Sequence, residues 1–147
     1  MTVPPTIVIT LLVLSFLVVF IISRPDAKER KRRLQRYWDR LCTGKEWRRR
    51  FPHAPKDEIR RYLQIFVDGF AFKDKDRLKF SPDDKVMDIY RALYPSDGWP
   101  DVLEVETFAM FLQNEYSFDL AQVQDSEVTL GTLFEMIQKA KPQTRGR

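Results

Sequence analysis

The 147-residue sequence predicts an all-α chain: a transmembrane helix, a basic amphipathic neck helix and a small bundle of three to four helices. Three observations carry that prediction. Met1 to Ser23 contains no charged side chain, so all 46 Lys, Arg, Asp and Glu residues fall in the other 124 positions. Downstream, apolar residues recur at helical spacing, and no alternating stretch is adequate for a sheet. The charge also changes sign along the chain, from a basic segment after the apolar run to an acidic remainder. The expected organisation is an anchor over 1–23, a basic juxtamembrane neck over 24–56, an acidic helical domain over 57–140 and a basic disordered tail over 141–147.

The anchor comes first. Thr6 to Ile22 is seventeen residues without a charge, roughly 26 Å long as a helix against a hydrocarbon core of about 30 Å. No basic side chain precedes it and no Ala-x-Ala-like site follows, which favours a retained span over a cleaved signal peptide. Residues 23–50 carry twelve Lys or Arg against four Asp or Glu. The positive-inside bias therefore predicts a single-pass protein with its N-terminus outside and its C-terminal domain cytoplasmic, the expected setting being a bacterial inner membrane.

In the neck, Leu34, Tyr37, Trp38 and Leu41 recur at offsets 0, 3, 4 and 7, the stripe of an amphipathic helix that ends before Gly44. Trp38, Trp47, Phe51 and Arg48 to Arg50 fit an anionic membrane surface, where each basic residue contributes on the order of 1 kcal/mol. They fit equally the cover of a helical domain. Nucleic acid is not an expected partner: no zinc-finger or RNP motif accompanies the basic residues, and residues 51–147 hold thirteen basic against seventeen acidic side chains.

A single Cys and a single His exclude an intrachain disulfide and His-rich or all-Cys zinc sites. Cys42, about twenty residues beyond the span, reads as a plain thiol. His53, between Pro52 and Pro55, has no nucleophile or second His arranged around it. No metal, cofactor or catalytic residue is expected, since no glycine-rich phosphate loop or metal-ligand set accompanies the acids.

The bundle begins with Asp57 to Phe70, where Ile59, Tyr62, Leu63, Phe66, Val67 and Phe70 share one face and Asp57 and Glu58 oppose the dipole at its start. Ser81 to Asp84 reads as a turn into the short apolar stretch 86–90, and 94–100 breaks the chain again. Asp101 is a predicted N-cap, with Glu104 three residues on. Projected at 100° per residue, Val102, Val105, Phe108, Ala109, Leu112 and Tyr116 face the core. Leu103 and Met110 face outward beside Glu104 and Glu106, a stripe suited to a partner. Residues 117–125 form a loop or one helical turn, and Thr129 caps a last helix with Leu130, Leu133, Phe134 and Ile137 inside.

That succession resembles the acyl carrier protein superfamily over about residues 57 to 138. The segment comparable to the family's Asp-Ser-Leu and acidic second helix is Asp101-Val102-Leu103 continuing as EVETFAMFLQNEYSFDL, followed by Thr129-Leu130-Gly131-Thr132 at the final helix. In the family the serine hydroxyl carries phosphopantetheine; here Val102 stands in its place and offers no oxygen. The resemblance thus implies a carrier-like scaffold without the prosthetic group. It also implies partner recognition through Leu103, Glu104, Glu106 and Met110.

Residues 81 to 138 hold twelve acids against only Lys85 and Arg91, a field that favours basic partner patches. The expected function is a membrane-tethered, non-enzymatic protein-interaction module that docks a cytoplasmic protein with a basic patch, or the basic neck of another copy as a homo-oligomer. Two alternatives stay open: an acyl or aminoacyl carrier using an atypical attachment site, and a structural subunit of a membrane-associated complex.

Overall fold

The computed structural model describes residues 28–95 and 103–141, together with Ser15. Apart from Ser15 and Lys141, the predicted span and tail lie outside the described residues, as do Asp101 and Val102. Among the described residues every regular element is helical, and no helix is long and apolar enough to cross a membrane.

Helix α1 covers 28–38. Leu34 and Tyr37 are buried and Trp38 is half-buried against the core, so these three members of the neck stripe are covered by protein. The helix stops earlier than its sequence pattern predicts, and Leu41, the fourth member of the stripe, is 90% exposed. The cause is local. Thr43 bonds the following strand of chain, its N–H donating to the Leu78 carbonyl at 2.9 Å and its hydroxyl lying 2.8 Å from the Phe80 carbonyl. With Thr43 held there, the chain turns out of the helix at residues 39 and 40, and Leu41 lies beyond its end.

Helix α2, Gly44–Arg50, has one buried side chain, Trp47. Its indole N–H donates to the Phe80 carbonyl at 2.8 Å, and its ring meets Phe51, Tyr62 and Phe134 at 5.8 to 5.9 Å. Trp47 is therefore a core residue, satisfying its polar edge as a buried indole must. It does not face lipid.

Helix α3, Lys56–Gly69, buries Ile59, Tyr62, Leu63, Phe66 and Val67. Phe66 is the centre of a second aromatic group with Phe70, Phe80 and Phe108 at 4.7, 4.9 and 5.4 Å. Both groups belong to one core that also includes Leu34 and Tyr37 of α1. Ala71 ends α3 with φ 53°, and the Phe72 N–H closes the turn on the Val67 carbonyl at 2.8 Å. A 3₁₀ segment, Asp74–Lys79, leads to Phe80.

The turn 81–84 is where three parts of the chain meet. Asp84 accepts the Ser81 N–H at 2.7 Å and pairs with Arg40 at 2.6 Å. Asp83 pairs with Arg50 at 2.7 Å, and Ser81 Oγ donates to Glu46 at 2.7 Å. From the other side, the N–H groups of Leu130 and Gly131 donate to the carbonyls of Asp84 and Pro82 at 2.9 and 2.7 Å. A Cβ on Gly131 would stand 2.7 Å from the Pro82 oxygen, so only glycine admits this approach. An isolated antiparallel bridge between Lys85 and Thr129 completes the seam.

Helix α4, Val86–Leu93, buries Val86, Ile89, Tyr90, Ala92 and Leu93. Helix α5 is Leu103–Tyr116, followed by a 3₁₀ turn, Leu120–Gln122, whose first N–H groups are served by Asp119. Helix α6, Leu130–Ala140, starts as predicted: Thr129 Oγ1 accepts the Thr132 N–H at 3.1 Å, and Leu130, Leu133, Phe134 and Ile137 are buried.

Candidate interaction surface

Among the described residues, helix α5 is held from one side. Phe108 and Leu112 are fully buried, and Val105 and Tyr116 pack partly against the core. The opposite side presents Leu103 at 59% and Met110 at 53% exposure, with exposed Glu106 between them. Offsets of 0, 3 and 7 place these three on one stripe of a 3.6-residue helix. Covering the two apolar side chains would contribute on the order of 1–2 kcal/mol each.

Glu104, expected beside them, has a different environment. Its Oε1 accepts the Tyr94 hydroxyl, and its Oε2 is buried with no hydrogen-bond partner among the described residues. Tyr94 itself packs on Tyr90 with ring centroids 5.4 Å apart. Glu104 thus ties α5 to the end of α4. Tyr94 has no periodic signal in the sequence, because the chain between it and Glu104 is a Pro- and Gly-containing connection.

Most of the remaining acids are engaged by bases. Asp83 and Asp84 meet the neck arginines, Asp88 lies 3.5 Å from Arg91, Glu127 pairs with Lys85, and Glu135 lies 2.7 Å from Lys139. Asp119 and Asp125 accept backbone N–H groups at 2.9 and 2.8 Å. Glu106 has neither an ion pair nor a hydrogen bond among the described residues. Its charge is therefore available to an incoming cation, beside two apolar side chains.

The far end of α5 is closed. Glu115 bonds Arg61 of α3, which raises the pKa of that guanidinium, and Lys141 bonds Glu58 while its ammonium lies 5.3 Å from the Tyr116 ring centre. Burial, and secondarily the Glu115 charge, pushes the Tyr116 phenol up to about 12. A cleft of ≈ 690 Å³ beside this end is lined by the pairs Arg61–Glu115 and Lys141–Glu58, by Asp57 and Arg60, and by Arg77, which donates to the neutral Gln64 amide at 2.9 Å.

Cys42 is an exposed free thiol and His53 is exposed on the connection between α2 and α3. Among the described residues no group of three or more His, Cys, Asp or Glu side chains could hold a metal ion. No family model, curated protein or solved structure matches the chain.

Proposed function

We propose that the protein is a membrane-tethered, non-enzymatic interaction module whose α5 stripe docks a partner carrying a basic patch. The single observation behind this reading is the row Leu103, Glu106, Met110: two exposed apolar side chains flanking a carboxylate with no ion pair among the described residues. Apolar contact supplies binding energy at such a surface, while the charge speeds encounter and selects the sign of the partner. The uncharged run Thr6 to Ile22 supplies the tether, and confinement to a membrane raises the local concentration of the module. Glu104 contributes indirectly, by fixing the start of the helix.

The scaffold is carrier-like in this reading. Its support is the order of elements, with α3, a long charged connection, α4, α5 and a Thr129-capped α6 in succession. Val102 leaves the scaffold without a hydroxyl for a phosphodiester at the matching position.

The test is partner recovery from detergent extracts by wild type and by Leu103→Arg combined with Met110→Arg. Loss of a partner in the folded variant, and weaker recovery above physiological salt, are expected. Undiminished recovery by the folded variant removes the α5 stripe from consideration. Intact-mass measurement after co-expression with a broad phosphopantetheinyl transferase separates this module from a true carrier, which would gain the mass of the prosthetic group.

A further inference from the structure

A second surface, away from the acidic helix, has the complementary chemistry. A half-enclosed pocket of ≈ 260 Å³ opens between α2 and α3, walled by Trp47, Ile59 and Leu78. Lys45, Arg48, Lys56 and Arg60 line it as well, together with Cys42. Lys45, Arg48 and Lys56 have no ion pair or hydrogen bond among the described residues, and Arg60 has only Asp57 at 3.8 Å. Leu41, 90% exposed, precedes Cys42 in the same loop. An apolar slot lined also by Lys45, Arg48 and Lys56, which have no ion pair among the described residues, suits a molecule with a negative head and a slender apolar tail.

We propose that this pocket binds an anionic membrane phospholipid, its head on Lys45, Arg48, Lys56 and Arg60 and the upper part of one acyl chain against Trp47, Ile59 and Leu78. The inference rests on the membrane-tethered reading above, because chain connectivity then brings the pocket to the lipid. The six Cα steps from Ile22 to Lys28 reach at most about 20 Å. The eleven described residues of α1 add about 16 Å. The domain is thus kept beside the headgroups, where anionic lipid attracts basic side chains.

The test uses the full-length chain in neutral maltoside micelles, titrated with dioctanoyl phosphatidylglycerol or dioctanoyl phosphatidylcholine and read by native mass spectrometry. The anionic lipid is expected to bind about tenfold tighter or better, and inorganic phosphate at equal concentration should not displace it. Lys45→Glu combined with Arg48→Glu, both exposed positions, should weaken retention about thirtyfold, at roughly a factor of five per cation. Cys42→Trp, which adds bulk to the pocket lining without changing its charge, should also reduce retention; if that variant does not fold, the charge-reversal pair decides. Equal retention of the two lipids, or undiminished retention by the folded charge-reversal variant, overturns the proposal. Displacement by phosphate alone would make this a free-anion site, also against it. Dimers in place of bound lipid, lost in both Leu103→Arg/Met110→Arg and Lys45→Glu/Arg48→Glu, would assign the pocket to a second copy. Partner recovery through α5 is measured separately, so either reading can fail alone.

Discussion

Gly69 of α3 and Phe108 of α5 meet with no room for a side chain between them: a Cβ on Gly69 would stand 2.8 Å from both Cα and Cβ of Phe108. Alanine would suit a helix interior better by about 1 kcal/mol. The obstacle is backbone, which cannot swing aside, so overpacking should win and Gly69→Ala should destabilise by about 1–3 kcal/mol. A urea midpoint equal to wild type would show that the two helices can separate freely.

Ala71 offers the reverse case. It holds φ 53° after α3, a conformation costing a residue with a Cβ about 1–2 kcal/mol. Ala71→Gly should raise stability by roughly 0.5–1 kcal/mol after the entropy of the unfolded glycine is counted. A decrease in the denaturation midpoint would contradict this.

Trp47 decides whether the neck is a linker or part of the fold. Its burial predicts that Trp47→Ala costs about 3–5 kcal/mol. Trp47→Phe keeps most of the ring contacts and removes one of two donors to the Phe80 carbonyl, the Thr43 hydroxyl remaining, at about 0.5–1.5 kcal/mol. A linker would tolerate both changes in thermal unfolding.

At alkaline pH, burial raises the folded-state pKa of Tyr37, Tyr62 and Tyr116, the last to about 12. The unfolded chain therefore releases these protons first, and stability present below about pH 10 should fall as the pH rises toward 12. The Tyr116 hydroxyl is buried with no hydrogen-bond partner among the described residues. Tyr116→Phe should accordingly be neutral or slightly stabilising at pH 7 and should lessen the alkaline decline. Phenolate absorbance with folding monitored in parallel checks both statements.

Leu103→Arg with Met110→Arg should change folding stability by less than about 0.5 kcal/mol, because both side chains already face outward. Phe108→Ala, on the opposite side of the same helix, should cost about 3–5 kcal/mol. Comparable losses from the two would mean that the outward stripe is core.

The three longer bundle helices were readable because each sets an unbroken apolar face against the core. The same 100° projection that buries Phe108 and Leu112 turns Leu103 and Met110 outward, so one periodicity specifies both surfaces. Helix α2 carries no such signal: one Trp among seven residues, followed by three arginines, has no period. What buries Trp47 comes from Tyr62, Phe80 and Phe134, all distant in sequence. Leu41 fits its stripe by spacing alone, and only the Thr43 bonds to the 78–80 chain reveal why it leaves the helix. Likewise, the spacing that sets Glu104 three residues after Asp101 and beside Leu103 gives no sign of Tyr94, which reaches it across the loop.

The turn at 81–84 fastens residues from opposite ends of the described chain, with Arg40 on Asp84 and Gly131 on Pro82. Helical proteins usually fold fast because their contacts are local, yet this seam and the Tyr62 bond to Leu130, 68 positions away, must wait for large loops to close. Refolding should therefore lag behind that of simple up-and-down bundles of similar size. In stopped-flow mixing, weakening the seam with Asp84→Asn should speed unfolding more than it slows refolding, the signature of contacts made after the rate-limiting barrier.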